Sequence, residues 1–394
     1  MIKNLSIENL ENIKNFKYSG TDNSIFYSKF LSPCLNKLIN YIPITIAPNL
    51  ITLISFLFNL LSFYITLLEV GSDYYQIISR GTCLFQAITH ILYYILDNLD
   101  GKQARRTGTS SAYGMLLDHG CDVFTNIIVA FNMSHLLLLG NNSIFSFLFY
   151  SGLFLGFFSL TYQEYIFGEL LLPPINGANE GNLAVVFFSF CGFLFGGGIY
   201  RIKILFWRLG QWIAIGMFAM AIWTTGVQAF MKIINQKGNG VIKSLLIDWI
   251  DIILCIIIPF LLCIFNKDIY SFFYNLITIQ MSLMYARLTL EIQMAIIIKE
   301  KLKYSIGLYF SILIVFTIFI KNYRIFIAIY SYSALILGTE IVLFVIIRSM
   351  EILYYLKIKL LCIDSQMSLS NMVGPELFSG HGLRCVRVRA SLIS

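Results

Sequence analysis

The chain has 394 residues, 58% hydrophobic and only 12% charged. A soluble domain runs at roughly 45–50% apolar and about 25% charged, which excludes a large soluble fold. The net charge of +7 is modest, and the cations lie between apolar runs rather than in one patch, so no nucleic-acid partner is expected.

Residues 1–45 read as a cytosolic N-terminal segment, too polar for a cleavable secretory signal. Within it, Ile25–Tyr41 mixes Phe, Leu and Tyr with Lys29 and Lys37. That stretch is either an amphipathic helix lying in the membrane interface or a surface helix packed on a bundle. A bilayer core of about 30 Å takes roughly 20 apolar residues per helix. On that rule spans are expected near 48–69, 81–98, 113–139, 145–170, 182–200, 208–232, 246–265, 270–298, 304–321 and 325–350. The fold class is an all-α polytopic membrane protein with about ten transmembrane helices and no internal repeat. The eight cysteines show no CxxC spacing and lie mostly in apolar runs, where they act as small hydrophobes; no disulfide framework is expected.

Loop charge sets the orientation. Lys3, Lys14, Lys17, Lys29 and Lys37 precede the first span, and Lys102, Arg105 and Arg106 follow the second. Alternation puts both groups on one side, the cytosolic one, and Lys299, Lys301 and Lys303 agree. Arg201, Lys203 and Arg208 fall on the opposite side, against the rule.

The stretch DNLDGKQARRTGTSSAYGMLLDHGCD carries Asp97, Asp100, Asp118 and Asp122 at the end of one span and the start of the next. A charge at bilayer depth costs about 3 kcal/mol or more, and divalent cations offset it because hard metals take carboxylate oxygens. Separations of three and four residues put each pair on one helix face. Two antiparallel helices joined by a short loop let the four converge on one or two divalent ions. Gly101 is expected to end the second span and admit a ligand to the backbone. Gly114 lies one turn before Asp118, where a side chain would fill the space above the carboxylates. Lys102, Arg105 and Arg106 offer cations to phosphate oxygens. The plainer reading is loop-end acids paired with these same cations; the joint spacing of four acids and two glycines argues against it.

The pattern Asp97-x2-Asp100-Gly101-x2-Ala104-Arg105-x8-Gly114-x3-Asp118-x3-Asp122 resembles the signature of the CDP-alcohol phosphatidyltransferase family, without departure. DGKQARR, DHGCD, YSGTDNSIFYSKF, APNLIT and LPPINGANEG resemble its eukaryotic choline/ethanolamine phosphotransferase branch, over roughly residues 15–185. The resemblance implies transfer of a phosphoalcohol from CDP-ethanolamine or CDP-choline to diacylglycerol, with release of CMP. It implies two divalent ions, Mg2+ or Mn2+, on Asp97, Asp100, Asp118 and Asp122. Asn49, Asp97, Gly101, Ala104, Arg105 and Gly114 would cradle the nucleotide, although Asn49 beside Pro48 also reads as a helix cap. The base for the acceptor hydroxyl would be Asp122. His119 is the rival, but it sits about 100° round the helix from Asp118, which turns it from the carboxylate face. The first six helices, within 46–235, would form the catalytic bundle. Additional transmembrane helices would fill 236–360, and a polar, disordered tail 361–394. A homodimer in the endoplasmic reticulum or Golgi membrane, with its site facing the cytosol, is implied likewise.

Of the acids Glu164, Glu169 and Glu180 near the end of the fourth span, Glu180 in NGANEG is the candidate for the alcohol or acceptor pocket; a plain loop acid is the alternative. Arg287 and Glu291, four apart within a span, read as an ion pair offsetting its own burial. Two other functions fit part of the pattern. A CDP-diacylglycerol-dependent transfer to inositol or glycerol phosphate would need more cations near the site. A cation-coupled transporter would explain the acids but not Gly101, Arg105 or Gly114.

Overall fold

A computed structural model describes residues 5–71, 73, 75–140, 144–223, 228–237, 245, 247–265, 267–302 and 322–356. The expected span at 304–321 and the tail at 361–394 lie outside the described residues. The rest is almost entirely helical, in an all-α membrane architecture. Among the described residues, six helices are long and apolar enough to cross a bilayer: Pro48–Val70, Ala112–Leu136, Ile144–Phe167, Gly177–Phe195, Tyr274–Ile298 and Tyr323–Leu356.

In chain order the main helices are α1 (Ile7–Lys14), α2 (Ser32–Leu38), α3 (Pro48–Val70), α4 (Arg80–Thr107), α5 (Ala112–Leu136) and α6 (Ile144–Phe167). There follow α7 (Asn182–Phe195), α8 (Leu209–Ala221), α9 (Gln228–Lys237), α10 (Ile250–Phe265), α11 (Lys267–Phe272), α12 (Tyr274–Ile298) and α13 (Tyr323–Leu356).

Helix α4 is the most polar of the long helices, and its neighbours show why it can be. Along α3, Thr52, Ser55, Asn59, Ser62, Thr66 and Glu69 recur every three or four residues and so form one stripe. This stripe meets α4 and α5. Thr52 donates to Asp100, Gln86 donates to Thr66 at 2.8 Å, and Thr82 donates to Glu69. Asn59 lies 3.2 Å from the His90 ring, and Asn132 of α5 donates to Ser62 at 3.0 Å. Such interhelical bonds in lipid average about 0.6 kcal/mol each. Their larger effect is on register, because a shifted pairing leaves several buried polar groups unmet.

The α4–α5 junction differs from the expected loop. Gly101 does not end a span: α4 runs through it to Thr107 and closes at Gly108, whose φ of +67° suits glycine. Ser111 then caps α5 by accepting from the Gly114 N–H at 3.1 Å. The functional stretch is therefore two helices joined by a tight turn.

The stretch expected as an interfacial helix is a π-helical turn, Tyr27–Leu31, running into α2. One face docks on α4, with Leu35 and Ile39 buried against Leu99. The other face leaves Phe30, Leu38 and Tyr41 exposed. The main core lies among α5, α6, α10, α12 and α13. There the Arg287 guanidinium meets Glu291 at 3.1 Å, as the spacing predicts, and Glu340 of α13 at 3.2 Å.

Candidate active site

Asp97 and Asp100 near the end of α4 and Asp118 in the second turn of α5 converge. One oxygen from each lies within 4.8 Å of the others. Asp122, one turn further, stands outside this triplet and accepts from the Tyr93 hydroxyl at 2.6 Å. Asp100 is 4% exposed and takes the Thr52 hydroxyl. Asp118 keeps one buried oxygen, Oδ1, without a hydrogen-bond partner. An unmet carboxylate oxygen beside two further carboxylates is costly alone and is the donor set a hard divalent cation takes. The residues present fit such an ion.

Two cavities meet at these acids. The larger, about 670 Å³, is polar and lined by Asn49, Thr52, Asp97, Asp100, Gly101, Ala104, Arg105, Gly114, Asp118 and Asp122 among others. The smaller, about 170 Å³, runs among Phe149, Leu153, Phe157, Leu160, Val185 and Met217, between α5, α6, α7 and α8. Asp97, His119 and Asp122 line both.

Each expected residue can now be placed. The nucleotide set of Asn49, Asp97, Gly101, Ala104, Arg105 and Gly114 lines the larger cavity together. A Cβ on Gly114 would stand 3.5 Å from Asn49 Oδ1, and one on Gly101 would stand 3.5 Å from the Arg105 guanidinium. Of the three expected phosphate-binding cations, only Arg105 lines the cavity, which corrects the other two. Lys102 instead donates to Ser32 and Asn36 of α2, at 3.2 and 2.8 Å. Arg106 holds the carbonyls of Ile39 and Ile42 at 2.6 and 2.8 Å. Lys102 thus fastens α2, and Arg106 the segment just after it, to α4; their spacing on α4 carries them round to that face.

His119 does not turn away: it lines both cavities. Its Nδ1 lies 3.9 Å from a carboxylate oxygen of buried Glu164, and its ring meets Tyr18 edge-on at 5.8 Å. Glu180 lines neither cavity. Its oxygens accept from the Ser24 hydroxyl at 2.7 Å and from the Asn176 N–H at 2.9 Å.

The N-terminal segment, expected as a lead-in, is a roof. Gly20–Asp22 pairs in parallel with Leu170–Leu172, beyond α6. That brings Lys17, Tyr18, Asp22 and Tyr27 to the wall of the larger cavity. Asp22 accepts from the Ser24 N–H and from Asn179 Nδ2, both at 2.8 Å, and Asn179 accepts from Tyr94 at 2.7 Å. Burial pushes the Asp22 carboxyl above its usual pKa, against the pull of these two donors. The motifs YSGTDNSIFYSKF and LPPINGANEG thus face each other.

Residues 45–167 match the family model described as CDP-alcohol phosphatidyltransferase. A Dictyostelium discoideum protein named "Uncharacterized CDP-alcohol phosphatidyltransferase class-I family protein 3" is 37% identical over 204 residues, 50% of each chain. "Choline/ethanolaminephosphotransferase 2" of Arabidopsis thaliana is 34% identical over 188 residues, 46% of this chain and 45% of that one. "CDP-diacylglycerol--serine O-phosphatidyltransferase" of Encephalitozoon cuniculi is 29% identical over 203 residues, 49% of this chain and 50% of that one. The chain spans about half the length of the curated relatives it matches.

Proposed function

We propose that the chain, whose residues 45–167 match the CDP-alcohol phosphatidyltransferase model, transfers phosphoethanolamine or phosphocholine from a CDP-alcohol to diacylglycerol. The observation that carries this is the meeting of a polar cavity and an apolar one at Asp97, His119 and Asp122. The larger, with Arg105 and the small residues Gly101, Ala104 and Gly114, suits a nucleoside diphosphate. The smaller, walled by aliphatic and aromatic side chains, suits the upper part of a lipid acceptor.

Asp97, Asp100, Asp118 and Asp122 would hold two divalent ions, Mg2+ or Mn2+, which when bound neutralise charge on the diphosphate and its leaving group. Arg105 binds phosphate oxygens, and Asn49 orients the nucleotide. The acceptor oxygen attacks the phosphorus that carries the alcohol. A new oxygen–phosphorus bond forms as the diphosphate bridge breaks and CMP leaves with the bridging oxygen. The acceptor proton goes to His119, where an ionised Glu164, 3.9 Å from Nδ1, would stabilise the imidazolium through space, and Asp122 stays with the metal set. The site faces the cytosol of the endoplasmic reticulum or Golgi in this reading.

The match to a CDP-diacylglycerol–serine transferase favours a second reading, in which the lipid is the donor and a polar alcohol the acceptor. Purified full chain in bilayers, with Mg2+ or Mn2+, separates the two. CMP release from CDP-ethanolamine or CDP-choline with diacylglycerol is the expected result. Release only from CDP-diacylglycerol with serine, inositol or glycerol phosphate would establish the second. Release in neither arm, with cation uptake into vesicles, would make the acids a transport site.

A further inference from the structure

The three cations that break the positive-inside pattern belong to one small structure. Between α7 and α8, Lys203–Ile204 and Trp207–Arg208 form a two-stranded antiparallel hairpin, with Arg201 just ahead of it. The hairpin lies at the end of the bundle away from the aspartates. Gly196 and Gly197 abut Arg80 and Ile78 at the start of α4, and Arg201 donates to the Tyr75 carbonyl.

Its chemistry divides by position. The tip is apolar and projects from the protein: Leu205 is 77% exposed and Phe206 82%. Trp207 and Trp212 meet at 4.7 Å, and the Trp212 indole N–H donates to the Ile204 carbonyl at 3.0 Å, bracing the base with rings favoured at membrane interfaces. Lys203 and Arg208 are directly opposite in the register, and both are exposed. Like charges directly opposed across a two-stranded ribbon destabilise it unless an anion lies between them. The chain has no acid from residue 181 to 247, and none of Arg201, Lys203 and Arg208 forms an ion pair among the described residues. An apolar tip next to a pair of unmatched cations matches two adjoining layers of a phospholipid leaflet, acyl chains and phosphate.

We propose that this hairpin is a lipid-binding element in the leaflet remote from the catalytic site, with Leu205 and Phe206 among the acyl chains and the Lys203–Arg208 pair holding the phosphate of an anionic phospholipid. The exception to the charge rule then reflects lipid contact rather than topology. The occupant is a bilayer lipid, because the tip and the cations act together only where an acyl layer adjoins a phosphate layer.

The chain has four tryptophans, so Trp223→Phe with Trp249→Phe leaves Trp207 and Trp212 as reporters on the hairpin. That protein is reconstituted in phosphatidylcholine bilayers containing a minority of phosphatidylserine, with bromine on the acyl chains of one lipid or the other. Bromine near the carbonyl should quench more than bromine near the methyl end. Bromine on phosphatidylserine should quench as though that lipid were enriched roughly fivefold or more over its bulk fraction. Lys203→Gln with Arg208→Gln should abolish the enrichment and keep the shallow quenching, and Lys203→Arg should keep both. Leu205→Ser with Phe206→Ser should reduce quenching by every lipid. Inorganic phosphate should displace nothing; displacement would mean a simple anion site and overturn the proposal. Quenching by each brominated lipid in proportion to its bulk fraction would overturn it too. If the reporter protein does not fold, phosphatidylserine retained by the unsubstituted chain through purification, against Lys203→Gln with Arg208→Gln, gives the same decision by lipid mass spectrometry.

Discussion

The Ser24 hydroxyl donates to a Glu180 oxygen at 2.7 Å, tying together two segments 156 residues apart in the chain. The other Glu180 oxygen holds the Asn176 N–H, and Asn179 holds Asp22. The roof over the polar cavity is thus fastened by side chains of NGANEG as well as by the short strand pair. A hydrogen bond to a charged group contributes about 1.5–3 kcal/mol. Glu180→Ala should therefore open the roof: proteolysis within residues 15–30 becomes faster, and KM for the CDP-alcohol rises roughly tenfold, with kcat nearly unchanged. Unchanged proteolysis and KM would mean that the strand pair alone holds the roof.

Gly114 offers a test of the nucleotide cradle that separates binding from folding. A Cβ there would lie 3.4 Å from Ser111 Oγ and 3.5 Å from Asn49 Oδ1, ordinary contacts in the empty cavity. Alanine also favours a helix over glycine by about 1 kcal/mol. Gly114→Ala should leave the melting temperature equal or slightly higher while raising KM for the CDP-alcohol about tenfold or more, about 1.4 kcal/mol of lost binding. A melting temperature that falls together with activity would assign Gly114 to packing.

The cations that share α4 should part company. Arg105→Ala should weaken CDP-alcohol binding by about 10–100-fold, the value of a charged hydrogen bond. Lys102→Ala should act through the docking of α2, lowering the melting temperature with little change in KM. Measuring both parameters for both variants checks the placement; a KM effect confined to Lys102→Ala would reverse it.

These contrasts show which parts were legible in the sequence. The aspartates and the glycines between them lie within 26 residues, so local helix spacing was enough to bring them together. Lys102 and Arg106 could not be read the same way, because their direction depends on where α2 docks, a contact 60 or more residues away in sequence. The end of α4 was misplaced at Gly101 because two glycines compete; Gly108, followed by the Ser111 cap, takes the left-handed φ. The roof was invisible for a related reason. Three-residue strands carry no periodic signal, and the acids and amides that fasten them looked like loop residues. Thr52 was missed on its own, but as one of a polar stripe along α3 it was open to detection. The direction of the His119 ring was not legible from its angle to Asp118 alone, because the cavities it borders and the Glu164 beside it are supplied by other helices.

The metal assignment can be tested without relying on turnover alone. Asp118 has a buried oxygen with no partner, so Asp118→Asn removes a charge without breaking a visible bond. It should cut kcat by about 10²–10³-fold. It should also abolish the rise in melting temperature that Mn2+ gives the unsubstituted chain, while the metal-free melting temperature stays the same or rises. Chelation should abolish turnover of the unsubstituted chain, and added Mg2+ or Mn2+ should restore it. A variant that keeps its Mn2+ stabilisation would remove Asp118 from the metal set.

Asp122 and His119 both border the two cavities, so position alone does not divide their work. Their partners do. Asp122 already accepts a proton donor, the Tyr93 hydroxyl, at 2.6 Å, and it faces three other carboxylates. A divalent cation there would hold Asp122 ionised and lower its basicity. His119 has a Glu164 oxygen 3.9 Å from its Nδ1, close enough for an ionised Glu164 to stabilise an imidazolium through space. His119→Gln should lower kcat about 10²–10⁴-fold, remove the acid limb of the pH–rate profile and leave the metal requirement unchanged. Glu164→Gln should lower kcat less and shift that limb to lower pH, because an imidazolium without its carboxylate loses its proton more easily. Asp122→Asn should raise the metal concentration needed for half-maximal rate. If Asp122→Asn instead removes the acid limb at unchanged metal dependence, Asp122 is the base and His119 serves only to shape the boundary between the two cavities.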